Sequence, residues 1–144
     1  MIALLDASVL VALGDAGHVH GDAALRFFAR EAVVGGWATC PTTENAFLRI
    51  LSHPSYPRTL GSTTEARRVL ARLLAAPGHQ FWPDDLSLTD ERLHPQLPGS
   101  KHLTDHFLLA LAVKHGGRLA TFDNGINAAL VSGGPAALHV IPTT

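Results

Sequence analysis

Four carboxylates far apart in the chain, Asp6, Glu44, Asp105 and Asp123, each sit in an apolar context rather than in a charged run. Asp6 closes the apolar run Met1–Leu5, and Asp123 follows the strand-like run Arg118–Phe122. Glu44 opens a helix just behind Trp37–Cys40, and Asp105 lies in the first turn of another helix behind Thr104. A charge placed directly after a buried strand is costly without a partner, and four acids at one place repel one another unless protons or a metal neutralise them. Hard oxygen donors of this kind select Mg²⁺ or Mn²⁺ over zinc. An ion so held polarises phosphate oxygens and acidifies water, which is the chemistry of phosphodiester hydrolysis. In this reading Asp6 and Asp123 are direct ligands, with Glu44 and Asp105 binding directly or through water.

Neighbouring side chains have supporting parts available. Ser8 is placed to hydrogen-bond a ligating carboxylate or to cap the helix that follows Asp6. Thr121 alternates with Asp123 and shares its side of the strand, while Asn124 and Asn127 flank the fourth acid, where each can hold a water or make a turn. Arg49 is within reach of a phosphate at the rim. Arg49, Arg58, Arg67, Arg68 and Arg72 fall in the middle third of the chain and form either one basic rim or a solvated helix surface.

The elements that must position these groups read as alternating strands and helices. Apolar runs at Met1–Leu5, Trp37–Cys40, His79–Trp82, Arg118–Phe122 and Leu138–Ile141 predict strands, the first of them central and covered on both faces. Helical spacing predicts a short helix over Val9–Leu13 and longer ones over Asp22–Val34, over Glu44–Leu51 with Thr42 or Thr43 as cap, from a cap at Thr63 or Thr64 to Ala75, and over Thr104–His115 with Phe107, Leu108, Leu111 and Ala112 on one buried face. Shorter helices are expected over Leu86–Leu93 and Gly125–Leu130. The sum is an α/β fold, a doubly wound and mostly parallel sheet between helical layers, with ligands expected outside the carboxyl ends of the strands.

The chain of 144 residues is expected to form one domain, 1–144. A net charge of -1 excludes a strongly basic nucleic-acid coat but not a nuclease whose field comes from a metal. The single cysteine, Cys40, excludes a disulfide framework and a multi-thiolate zinc site, and reads as a core thiol. Met1–Leu13 has no basic leader and meets Asp6 early, so neither a signal peptide nor a membrane span is expected, and the cytoplasm is the default compartment.

The pieces Leu4-Leu5-Asp6-Ala7-Ser8-Val9-Leu10, Thr43-Glu44-Asn45-Ala46-Phe47-Leu48-Arg49, Leu103-Thr104-Asp105 running into Leu108–Ala112, and Leu119-Ala120-Thr121-Phe122-Asp123 together resemble the PIN-domain ribonucleases, in particular the VapC-type toxins of prokaryotic toxin–antitoxin pairs. The likeness spans nearly the whole chain and keeps the order and spacing of all four acids. It implies a three-layer α/β/α domain around a four- or five-stranded sheet and an endoribonuclease dependent on Mg²⁺ or Mn²⁺. It further implies a homodimer, a small cognate antitoxin as partner, and transfer or ribosomal RNA as substrate. By the same likeness Asp6, Glu44, Asp105 and Asp123 form the acidic quartet, and Asn124 or Asn127 stands where relatives carry a further Asp or Asn.

Three other readings compete. A phosphatase or receiver-like domain would use Asp6 as nucleophile or phosphoacceptor, but the expected second acid is replaced by Ser8. A zinc site would use His102 and His106, four apart on one helix, with His18 and His20 adding further imidazoles. A non-catalytic interaction module would use the acids only as helix caps.

Overall fold

The computed structural model describes residues 1–143, and Thr144, the last residue of the expected domain, lies outside the described residues. Ala3, Leu4 and Leu5 form β1 (Ala3–Leu5), in which every residue is buried. Alternation along this strand sends Leu4 into one apolar cluster and Ala3 and Leu5 into another, as expected of a central strand covered on both faces. Asp6 then caps α1 (Ala7–Gly14). A long helical stretch follows as α2 (Gly21–Phe27), a π-helical turn (Phe28–Ala32) and α3 (Val33–Gly35). Gly36, at φ 96°, turns the chain into β2 (Trp37–Thr39), a backbone angle that favours glycine.

α4 (Pro41–Leu51) starts earlier than the sequence predicts. Pro41 takes the first helical position, and the Thr43 hydroxyl accepts from the Cys40 amide at 3.1 Å, so Cys40 rather than a threonine is the capping residue. Glu44 is thereby the fourth residue of the helix rather than its first. α5 (Thr63–Leu74) is capped by Ser62 and packs on α4. β3 (His79–Phe81) follows. A 3₁₀ turn (Ser100–His102) leads into α6 (Leu103–Lys114), then come β4 (Arg118–Thr121), a second 3₁₀ turn (Ala128–Leu130), α7 (Gly134–Ala137) and β5 (Leu138–Val140).

The five strands pair in the order β3-β2-β1-β4-β5, every pairing parallel. The sheet is therefore wholly parallel and five-stranded. The chain leaves β1 in one direction through β2 and β3, then returns to place β4 on the other side, so the switch point lies between β1 and β4. Helices α1, α4 and α5 cover one face around Phe47, Leu51 and Leu70, and α6 with its surroundings covers the other.

Two expectations change here. Leu86–Leu93 is not helical: the Ser87 hydroxyl accepts from the Thr89 amide and the Asp90 carboxylate from the Arg92 amide, local bonds that compete with a helical ladder. Leu86 and Leu93 are instead buried beside α6, with Leu93 bridged to Val131. The second change is α6 itself, predicted to have one buried face, in which Leu108, Leu109, Ala110, Leu111 and Ala112 are all buried because the irregular 83–99 segment adds a cover.

A separate polar cluster pins the loop after α4. Asp15 is buried and accepts from the Gly17 amide at 3.0 Å, from Arg58 Nε at 2.7 Å and from the Tyr56 hydroxyl. The Arg58 hydrogen bond, with help from Tyr56 and Gly17, holds the Asp15 carboxyl well below the usual range despite burial. Asp15→Ala is expected to destabilise the protein by about 2 kcal/mol, the usual scale for removing a charged hydrogen-bonding partner. Denaturant unfolding checks this, and an unchanged midpoint would discount the cluster. Arg58 and Arg68 are thus engaged with Asp15 and Glu65, so the five arginines of the middle third do not form one free basic rim.

Candidate active site

Because the sheet is parallel, β1 and β4 present their carboxyl ends at one edge, and Asp6 and Asp123 follow those ends at the switch point. α6 runs into β4, so its first turn, with Asp105, returns to that edge. The register that pairs Leu5 with Ala120 brings the two strand ends together.

Asp6 is 6 % exposed. Its Oδ1 accepts from the Ala7 amide at 2.7 Å, and its Oδ2 accepts from Thr121 Oγ1 at 2.7 Å and from Ser8 Oγ at 3.3 Å. Thr121 Oγ1 in turn accepts from the Asp123 amide at 3.0 Å, and Ser8 Oγ from the Phe122 amide at 3.4 Å. Two hydroxyls therefore lock Asp6 to the segment that carries Asp123. Asp123 Oδ1 accepts from the Gly125 amide at 2.8 Å.

Burial pushes the Asp6 carboxyl above its ordinary range, with its hydrogen bonds opposing and the Asp123 charge adding to the rise. Burial, then the charges of Asp6 and Asp123, raise Asp105 to about 6. These three acids are mutually coupled, and among the described residues no Lys or Arg forms an ion pair with any of them. Such a charge-poor acidic cluster fits a divalent cation, whose field would remove the repulsion. One donor atom each from His102, Asp105 and Asp123 lie within 4.8 Å of one another.

Glu44 is held from the end of β2. Its Oε2 accepts from Thr39 Oγ1 at 2.7 Å, and Thr39 Oγ1 also contacts His79 Nε2 at 2.7 Å, an arrangement in which His79 donates to Thr39 and Thr39 to Glu44. Among the described residues, the group of ligand atoms that gathers His102, Asp105 and Asp123 includes neither Glu44 nor Asp6. Asn127 caps the second 3₁₀ turn through the Ala129 amide at 3.3 Å, and both Asn127 and Asn124 are exposed. Arg49 is exposed and lines a groove with Thr42, Asn45, Asp84 and Thr104, next to the first turn of α6.

The histidines do not make the alternative zinc site. His106 is buried, and its ring spans the carbonyl oxygens of His102 at 2.8 Å and Asn127 at 3.0 Å, leaving neither nitrogen for a metal. His102, which the sequence offers as the partner of His106 in a zinc site, gathers with Asp105 and Asp123 instead. Its spacing of four from His106 flags it as a metal donor, but the partner that the fold supplies is Asp105, three residues on at the helix start.

The PIN domain family profile matches residues 3–129. The chain belongs to the PIN-domain family. Within that family it is of the VapC ribonuclease type, 42 % identical over 125 residues to ribonuclease VapC38 of Mycobacterium tuberculosis, covering 87 % of each chain. It is 40 % identical over 144 residues to ribonuclease VapC29 of the same organism, covering 100 % of this chain and 99 % of the other. Among solved structures, the PIN fold is shared with M. tuberculosis VapC20, a sarcin–ricin loop cleaving toxin, at a TM-score of 0.59 and 17 % identity over 90 % of this chain and 97 % of that one. No helix among the described residues of this PIN domain is long and apolar enough to cross a membrane.

Proposed function

We propose that this PIN domain is an Mg²⁺- or Mn²⁺-dependent endoribonuclease acting as the toxin of a type II toxin–antitoxin pair, with transfer or ribosomal RNA as substrate. The observation that carries the reading is the cluster of Asp6, Asp105 and Asp123 at the switch point, where burial raises Asp6 and Asp105 and, among the described residues, no Lys or Arg is paired to the three acids. Asp105 and Asp123 would hold the ion with Asp6, and Glu44 would join through water or by turning from Thr39. When bound, the ion supplies charge compensation for a phosphodiester and lowers the pKa of water. Ser8 and Thr121 keep the Asp6 carboxylate in one orientation, so that it needs little rearrangement to meet substrate. Asp105, raised to about 6, carries a proton below that pH and gains its charge above it.

Purified protein, free of antitoxin, should cut cellular RNA at defined 5′ ends in Mg²⁺ or Mn²⁺ and stop when a chelator is added. Intact RNA under both metals would favour the interaction module. The same reading has the chain as a cytoplasmic homodimer silenced by a small cognate antitoxin; sedimentation at twice the monomer mass, and loss of cleavage on adding the product of the neighbouring gene, check those parts.

Arg49, on the groove beside Thr104, is the candidate phosphate-binding side chain. Arg49→Ala should weaken RNA binding, and the slope of log affinity against log salt should become shallower by roughly 0.7 to 0.9, the share that neutralising a single phosphate supplies. Equal slopes in variant and parent would remove Arg49 from the interface.

A further inference from the structure

The acidic reading leaves His102 without a part, although it stands among the acids. Its Nδ1 is buried and has no hydrogen-bond partner among the described residues. That atom lies 3.9 Å from Asp105 Oδ2, and a ring nitrogen of His102 gathers with the carboxylates of Asp105 and Asp123. Two donors bound to one ion at about 2.1 Å stand about 3 Å apart when adjacent and about 4.2 Å apart when opposite, so the separation suits a shared ion. The position is also built rather than incidental. The buried His106 ring, set between the carbonyls of His102 and Asn127, fastens the segment bearing His102 and Asp105 to the one that follows Asp123.

We propose that His102 Nδ1 is a nitrogen ligand to the same ion as Asp105 and Asp123, which biases this site toward a first-row transition ion over Mg²⁺. The inference rests on the metal-dependent reading above. Mg²⁺ holds to oxygen donors and its own waters, whereas imidazole nitrogen is a good donor to first-row transition ions, so one such ligand separates the two classes. A metal site of oxygens alone would leave the buried Nδ1 unsatisfied, a cost that coordination removes.

The test uses the whole metal-free chain with Mn²⁺ as probe. Electron spin-echo spectroscopy should show nitrogen modulation from a directly bound imidazole in the parent, and His102→Ala should abolish it. Calorimetric titration should show Mn²⁺ affinity falling by roughly tenfold or more in that variant, at least the cost of losing an outer partner, and Mg²⁺ affinity falling less. Saturable Mn²⁺ binding without nitrogen modulation in the parent, or modulation that survives His102→Ala, overturns the assignment and leaves the metal-dependent reading standing. Failure of the parent to bind Mn²⁺ saturably overturns both.

Discussion

Asp6→Asn is expected to lower RNA cleavage by roughly three orders of magnitude while leaving the fold intact. The first half follows from the position of Asp6 at the end of β1, where its carboxylate couples to Asp105 and Asp123. Loss of one charged ligand forfeits several kcal/mol of transition-state charge stabilisation, and about 1.4 kcal/mol corresponds to each factor of ten. The second half follows from its hydrogen bonds. An Asn side-chain oxygen still accepts from the Ala7 amide, and the hydroxyls of Thr121 and Ser8 can rotate to accept from the new amide. Burial already disfavours the ionised form of Asp6, so a neutral replacement removes repulsion in the metal-free protein. Cleavage assays beside a thermal melt decide the matter. Parental activity would discard Asp6 as a ligand, and a melt far below the parent would show that the residue is structural first.

Saturation with Mn²⁺ at neutral pH should raise the melting temperature by on the order of 5–10 °C, and the rise should shrink on going to pH 5. At a hundredfold excess over the dissociation constant, binding to the folded state alone adds about 2.7 kcal/mol, worth about 2–4 °C per kcal/mol in a chain of this size. The pH sign comes from Asp105, raised from 3.8 to about 6 in the folded protein. A raised carboxyl contributes stability that is fully present below its unfolded value and is lost as pH rises through the folded one, so the metal-free protein loses this contribution between 3.8 and about 6. As pH falls through about 6 the proton on Asp105 competes with the metal.

Asp105→Asn isolates the effect. The variant should match the parent near pH 4 and exceed it by about 1 kcal/mol near pH 7.5, a figure reduced for solvent screening at a partly exposed side chain. His18, His79 and His139, lowered by burial, contribute in the opposite sense, since a depressed base adds stability as pH rises, and they cancel in the difference. A variant that tracks the parent across this range, or a Mn²⁺ shift of equal size at pH 5, would show that Asp105 does not link protons to the metal.

Several groups were legible because their signal is local. Asp6 and Asp123 each follow a short strand run, and Glu44 and Asp105 each fall in the first turn of a helix, patterns that period and punctuation expose without any tertiary contact. Other features escaped for equally physical reasons. The 86–93 segment has helical composition, but its Ser and Asp side chains bond their own backbone. α7 is only four residues long, too short for a period to show.

The sequence by itself determined the strand runs, the main helices and the placement of the acids at strand ends and helix starts, because burial on a strand or helix leaves a periodic record in neighbouring residues. Which groups face one another was decided only when the sheet closed. Thr121 reaches Asp6 across 115 positions, and Asp15 holds Arg58 across 43. The same folding turned Glu44 toward Thr39 and brought His102 beside Asp105 and Asp123. Such meetings depend on strand order and register, and those follow from the packing of the whole chain rather than from any short stretch of it.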